Sequence, residues 1–112
     1  MKLPNAAEAC VDINKLRGYS LNPNHGRGKH KAKLFAAILG LTADDAEELQ
    51  AILLEAITEY DATPTDQDQY GQRYIVEFPL TRNDNTATIR SAWIIRPIET
   101  FPRLVSCYII KE

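Results

Sequence analysis

The sequence predicts an α+β fold, with N-terminal helices packed on one face of a three- to four-stranded antiparallel β-meander in a single domain over residues 1–112. Three observations lead there. Helical periodicity is confined to residues 29–60, strand-like alternation to residues 72–110, and the strand runs are joined by hairpin-length connectors. Helices first and strands afterwards is the order of a layered α+β domain. A chain of 112 residues buries roughly two-thirds of its unfolded surface, enough for a core without metals or disulfides. Apolar content of 45% and charged content of 25% exclude a disordered chain, a fibrous repeat and a disulfide-dense scaffold.

The first dozen residues are weakly patterned. Cys10, Val11 and Ile13 fit either a short strand or the lead-in to a helical turn with Asn14 as N-cap. Residues 15–21 hold one turn of helix at most, and 22–28 collect two glycines, a proline and two asparagines into a loop. A helix then spans Lys29 to Leu39, with Ala32, Phe35, Ala36 and Leu39 on one face and Gly40 closing it. Thr42 caps the next helix, with Asp45 three residues on in capping-box position. Its apolar face is Ala46, Leu49, Leu53, Ala56, Ile57 and Tyr60, and Glu47, Glu48, Glu55 and Glu59 form the other face. Residues 61–69 turn polar around Pro64 and read as a surface loop. Strands follow at 72–80, 86–96 and 103–110, with Tyr74 and Trp93 read as core.

The net charge of −2 conceals a segregation: residues 1–43 carry +5, residues 44–68 carry −9 and residues 69–112 carry +2. Such a molecule has a strongly polar field. The positive part concentrates in His25-Gly-Arg27-Gly-Lys29-His30-Lys31-Ala-Lys33, four cations and two histidines in nine positions. A helix N-terminus is partly positive, so Lys29 and Lys31 in a first turn cost about 0.3–1 kcal/mol each. Two readings stand. The cations solvate a loop or pair with the acidic helix that follows; or free backbone N–H groups and converging cations make an anion site whose usual occupant is phosphate. The segment lacks the P-loop spacing. Arg27, Lys29, His30 and Lys33 are the candidate phosphate or RNA contacts, and a histidine in such a site can serve as general acid or base near neutral pH.

The strand region uses arginine for its cations: Arg73, Arg90, Arg96 and Arg103. Arginine binds phosphate bidentately and stacks on bases. Alternation puts Arg90 and Arg96 on one face with Trp93 opposite, and gives Ser106 and Tyr108 a shared face. Arginine, serine and tyrosine on an open sheet face, met by lysine and histidine from a helix start, can hold a scissile phosphate without metal. The competing reading makes the arginines solvated ribs of the sheet. The nine acids of residues 44–68 are read as a solvated helix face, or as the surface a basic partner would meet, and they contain no calcium-loop series.

The run Leu21-Asn22-Pro23-Asn24-His25-x-x-Gly28-Lys29-His30-Lys31-Ala32, then Tyr70-Gly71-x-x-Tyr74, Arg90-Ser91-x-Trp93-Ile94-Ile95 and Pro102-Arg103-Leu104-Val105-Ser106-x-Tyr108 resembles an uncharacterised bacterial family of unknown function, sometimes labelled adhesin. The resemblance covers residues 12–110. In motif style and element order that family is similar to the barnase–EndoU–colicin–RelE group of metal-independent ribonuclease toxins. The resemblance implies an RNase-like toxin of a toxin–antitoxin or polymorphic toxin system, cleaving RNA by 2′-hydroxyl attack. It implies His25 and Lys31 facing Arg90, Arg103, Ser106 and Tyr108, RNA as substrate, a small antitoxin or immunity protein as partner, and no cofactor or metal. The alternative is a non-enzymatic domain that binds a partner through the acidic helix or the sheet edge; a weaker third reading is plain nucleic-acid binding through residues 25–33. No secretory or membrane-spanning run is present, Cys10 and Cys107 read as free thiols, and the expected compartment is the cytoplasm.

Overall fold

A computed structural model describes residues 1–110. A short helix α1 (Ile13–Lys15) runs into a π-helical turn over Leu16–Ser20, followed by α2 (Lys29–Leu39) and α3 (Ala46–Glu59). Four strands complete the chain: β1 (Ala62–Asp68), β2 (Gly71–Arg82), β3 (Asn85–Ile95) and β4 (Arg103–Ile110), antiparallel throughout in the order β1-β2-β3-β4. The expected α+β meander is the observed fold.

The polar segment that reads as a loop is strand β1. Every residue after Ala62 in it is exposed, so no apolar alternation marks it in the sequence. Its order comes from backbone pairing to β2, with Thr63 opposite Ile75, and from Asp68, which accepts from Tyr70 N at 2.9 Å and pairs with Arg73 at 2.6 Å. Pro64 is tolerated because the strand is an edge. The N-cap of α1 is Asp12, accepting from Asn14 N at 2.9 Å, rather than Asn14 itself. Cys10 meanwhile makes a single parallel bridge to Arg103, so the N-terminal segment is strand-like and then helical.

The β2–β3 hairpin turns on Asn83 and Asp84, with φ of 52° and 66°, the left-handed pair that matches strand twist in a two-residue turn. Gly71 opens β2 at φ 133°, against the Ile95 carbonyl. Gly71→Ala combines a backbone strain of about 1–3 kcal/mol with a side chain that overlaps that carbonyl. We expect a lower denaturant midpoint at unchanged m-value.

The helices cover one face of the sheet. Trp93, Ile89, Val76 and Phe78 meet Leu49, Leu53, Ile57, Phe35, Leu39 and Leu16 there. Trp93 is fully buried; its Nε1 donates to Ser91 Oγ at 2.8 Å, and that hydroxyl donates to the Val76 carbonyl at 2.8 Å. The capping box forms, with Thr42 N donating to the Asp45 carboxylate at 2.9 Å. Arg82, at the end of β2, ties both helices to the hairpin through bonds to the Leu39 carbonyl at 2.7 Å and to Glu48 at 2.8 and 3.0 Å.

These ion pairs set a pH dependence. Arg17 holds Glu47, Arg82 holds Glu48 and Arg103 holds Glu99 below the usual carboxylate range, and the Tyr70 amide followed by Arg73 does so for Asp68. A carboxylate with a depressed folded pKa stabilises the fold above its unfolded pKa, and loses that contribution as pH falls through the folded one. Denaturant midpoints are therefore expected to hold from pH 7 to about 5 and to decline below, with a shallower decline in Glu99→Gln.

Candidate functional site

Among the described residues no helix packs across the second face of the sheet. Strand register arranges it in three rows: Glu77–Arg90–Tyr108, then Ile75–Ala92–Ser106, then Arg73–Ile94–Arg103. Alternation alone predicts the shared face of Ser106 and Tyr108, but it would put Arg103 with the core residues Cys107 and Ile109. The register shifts between Ala92 and Trp93, where Ser106 and Leu104 are the partners and Val105 is left over. That bulge sends Leu104 into the core and brings Arg103 round to the open face.

The first row is the densest in chemistry. Arg90 Nε donates to Glu77 at 2.6 Å, and its Nη1 to the Tyr108 hydroxyl at 3.4 Å. Both contacts hold the guanidinium in its charged form. Lys31, from the first turns of α2, reaches over the β4 edge and sets its Nζ 4.4 Å from the Tyr108 ring centroid. Three of the sequence-predicted catalytic residues, Lys31, Arg90 and Tyr108, therefore meet from three separate elements. Ser106 lies one row along and shares with Lys31, Tyr19 and Lys15 a cleft of about 580 Å³.

Among the described residues neither His25 nor Arg103 is hydrogen-bonded to this row. His25 Nδ1 accepts from Arg27 N and Gly28 N, both at 3.1 Å, and its ring packs edge-on against Tyr19 at 4.5 Å. An imidazole whose Nδ1 accepts carries its proton on Nε2, so His25 here closes the turn that starts α2. Arg103 is spent on Glu99, with bonds of 2.6, 2.8 and 3.0 Å, about 15 Å along β4 from Tyr108 by strand rise. Arg27, Lys29, His30 and Lys33 are exposed.

The structure bears on half of the first reading of the basic segment, the pairing with the acidic helix; its other half, cations solvating an exposed loop, agrees with the exposure of Arg27, Lys29 and Lys33. Among the described residues no carboxylate pairs with Arg27, Lys29, Lys31 or Lys33; of the acids of α3 and its lead-in, Glu47 pairs with Arg17 and Asp45 and Glu48 pair with Arg82. The basic loop is not neutralised by the acidic helix.

A family model described as a domain of unknown function (DUF6883) matches residues 2–111. The chain belongs to that family. No curated protein matches its sequence. Among solved structures, the DUF6883 chain is similar to a chain of a contact-dependent growth inhibition toxin–immunity protein complex from Klebsiella pneumoniae 342, at 16% identity and a TM-score of 0.71, covering 96% of this chain and 97% of that one. At that identity the likeness shows the fold.

Two features of the DUF6883 face escape sequence reading. Glu77 is the carboxylate of the first row, and only the β2–β3 register reveals it beside Arg90. The third row opens into a second cleft, of about 590 Å³, lined by Lys15, Tyr70, Arg73, Arg96 and Arg103 among others; the strand arginines hinted at it, whereas Lys15 and Tyr70 carried no signal. Among the described residues no three His, Cys, Asp or Glu side chains gather as a metal site, and no helix is long and apolar enough to cross a membrane.

Proposed function

We propose that this DUF6883 domain is the toxin of a growth-inhibition pair, a metal-independent endoribonuclease whose reactive centre is Lys31, Glu77, Arg90 and Tyr108. The observation that carries the reading is the convergence of Lys31, Arg90 and Tyr108 on the uncovered face of the sheet. Two cations, a phenol and a carboxylate match what transphosphorylation of RNA needs. Glu77 accepts the 2′-hydroxyl proton, the 2′-oxygen bonds to phosphorus, and the bond from phosphorus to the 5′-oxygen breaks. Tyr108 supplies the proton to that departing oxygen, and Lys31 and Arg90 stabilise the charge that builds on the phosphoryl oxygens. The products are a 2′,3′-cyclic phosphate and a free 5′-hydroxyl.

In this reading Ser106 hydrogen-bonds the substrate beside the centre, and the exposed Arg27, Lys29, His30 and Lys33 steer RNA toward it. His25 orders the α2 start that delivers Lys31. A cognate immunity protein fits over the same open face, and the compartment of action is the cytoplasm of the target cell.

The test is inducible expression without a partner gene. The proposal expects growth arrest with RNA fragmentation, and relief of both by Arg90→Ala and by Tyr108→Phe at equal protein level. Normal growth and intact RNA at full expression of folded parent would overturn it and favour the non-enzymatic partner-binding reading.

A further inference from the structure

The cleft behind the third row has no place in the chemistry above, yet exposed hydrophobic side chains gather at it. Among the described residues four large hydrophobic side chains are exposed, and three of them, Tyr70 at 62%, Ile98 at 97% and Val105 at 41%, line this cleft. Isolated exposed hydrophobics are ordinary; three around one depression mark a binding surface.

Four cations line the cleft: Arg73 and Arg103 are paired with Asp68 and Glu99, whereas Lys15 and Arg96 are less committed. Lys15 pairs with no carboxylate among the described residues. Arg96 has only Glu99, at 3.9 Å, and Glu99 already accepts three bonds from Arg103. The other acid at the cleft, Asp12, caps α1. The pattern of an unpaired ammonium, a guanidinium with one long ion pair and an exposed phenol ring matches a nucleotide with its base unpaired. Asp12, Lys15 and Val105 line both this cleft and the one holding Lys31 and Ser106. The two clefts therefore adjoin along β4.

We propose that this cleft is a second subsite for single-stranded RNA, which stacks one base on Tyr70 and holds the adjoining phosphate between Lys15 and Arg96. The inference rests on the ribonuclease reading for its choice of RNA, and it makes the substrate a single strand several nucleotides long. A duplex cannot stack an internal base on a protein ring without unpairing it.

The test is binding of a fluorescent hexanucleotide, 2′-O-methylated throughout so that it cannot be cleaved, followed by anisotropy against the same sequence as a duplex. Tyr70→Ala is expected to weaken single-strand binding about ten-fold. Lys15→Gln and Arg96→Gln are each expected to lower the slope of log affinity against log salt by about 0.7. Tyr70 and Arg96 are exposed, and circular dichroism verifies folding of each variant; Arg96→Lys, which keeps the charge, is expected to retain the parent slope. Parent binding with unchanged affinity and slope in all variants overturns the subsite, as does a parent that prefers the duplex or binds neither. Loss of binding in these variants alongside a parent that cleaves no RNA overturns the ribonuclease reading and leaves the subsite standing.

Discussion

Lys31→Ala is expected to slow RNA cleavage by about 10²–10³-fold, the usual cost of removing one preorganised group that meets transition-state charge. Its structural cost is small. Lys31 gives up a contact with the Tyr108 ring worth about 0.5–1 kcal/mol, and it makes no ion pair among the described residues. Activity and stability are thus expected to separate, with kcat falling steeply while the denaturant midpoint barely moves. Lys31→Arg restores a cation on a longer arm, and part of the rate is expected to return. A fall in KM-dependent binding with kcat unchanged would instead make Lys31 a docking residue. The measurement is single-turnover cleavage of an end-labelled oligonucleotide, alongside urea titration of each variant.

Trp93→Ala is expected to have the largest effect on stability, about 3–5 kcal/mol. Trp93 is fully buried at the centre of β3, paired with Tyr74 on one side and Leu104 on the other. Truncation leaves a cavity between sheet and helices, and it also strips Ser91 Oγ of the indole N–H that reaches it at 2.8 Å. A fold with typical stability of about 5–15 kcal/mol would be left marginal. Trp93→Phe refills most of the volume and loses only the indole hydrogen bond, so it is expected to cost less than half as much. Thermal unfolding by circular dichroism ranks parent, Phe and Ala in that order if the packing account holds.

Both effects trace to residues that differ in how far the sequence announces them. Trp93 is legible because burial on a strand follows from alternation, and the same rule marks Tyr74, Val76 and Phe78. Helix α3 is legible because its capping box, acidic first turn and apolar stripe all agree. Strand β1 is not, since an edge strand held by backbone pairing needs no apolar side chains, and its polar residues imitate a loop. The site shows the same divide. Lys31 betrays itself by standing at a helix start where a cation is unfavourable. Glu77 and Arg90 become neighbours only through register, which the Asn83-Asp84 turn sets, and Arg103 changes face at a bulge that no periodicity encodes. His25 carries the right chemistry for catalysis, but its Nδ1 is taken by two backbone amides, a use that a composition of turn residues does not distinguish from a reactive one.

Incubating the purified domain with a single-stranded RNA in EDTA, and identifying the new ends by mass spectrometry, addresses the reactive centre most directly. The account expects cleavage that EDTA does not slow, 2′,3′-cyclic phosphate and 5′-hydroxyl ends, and no cut where the scissile nucleotide is 2′-deoxy. Intact RNA, cleavage that needs an added divalent ion, or a cut at the 2′-deoxy position would contradict it.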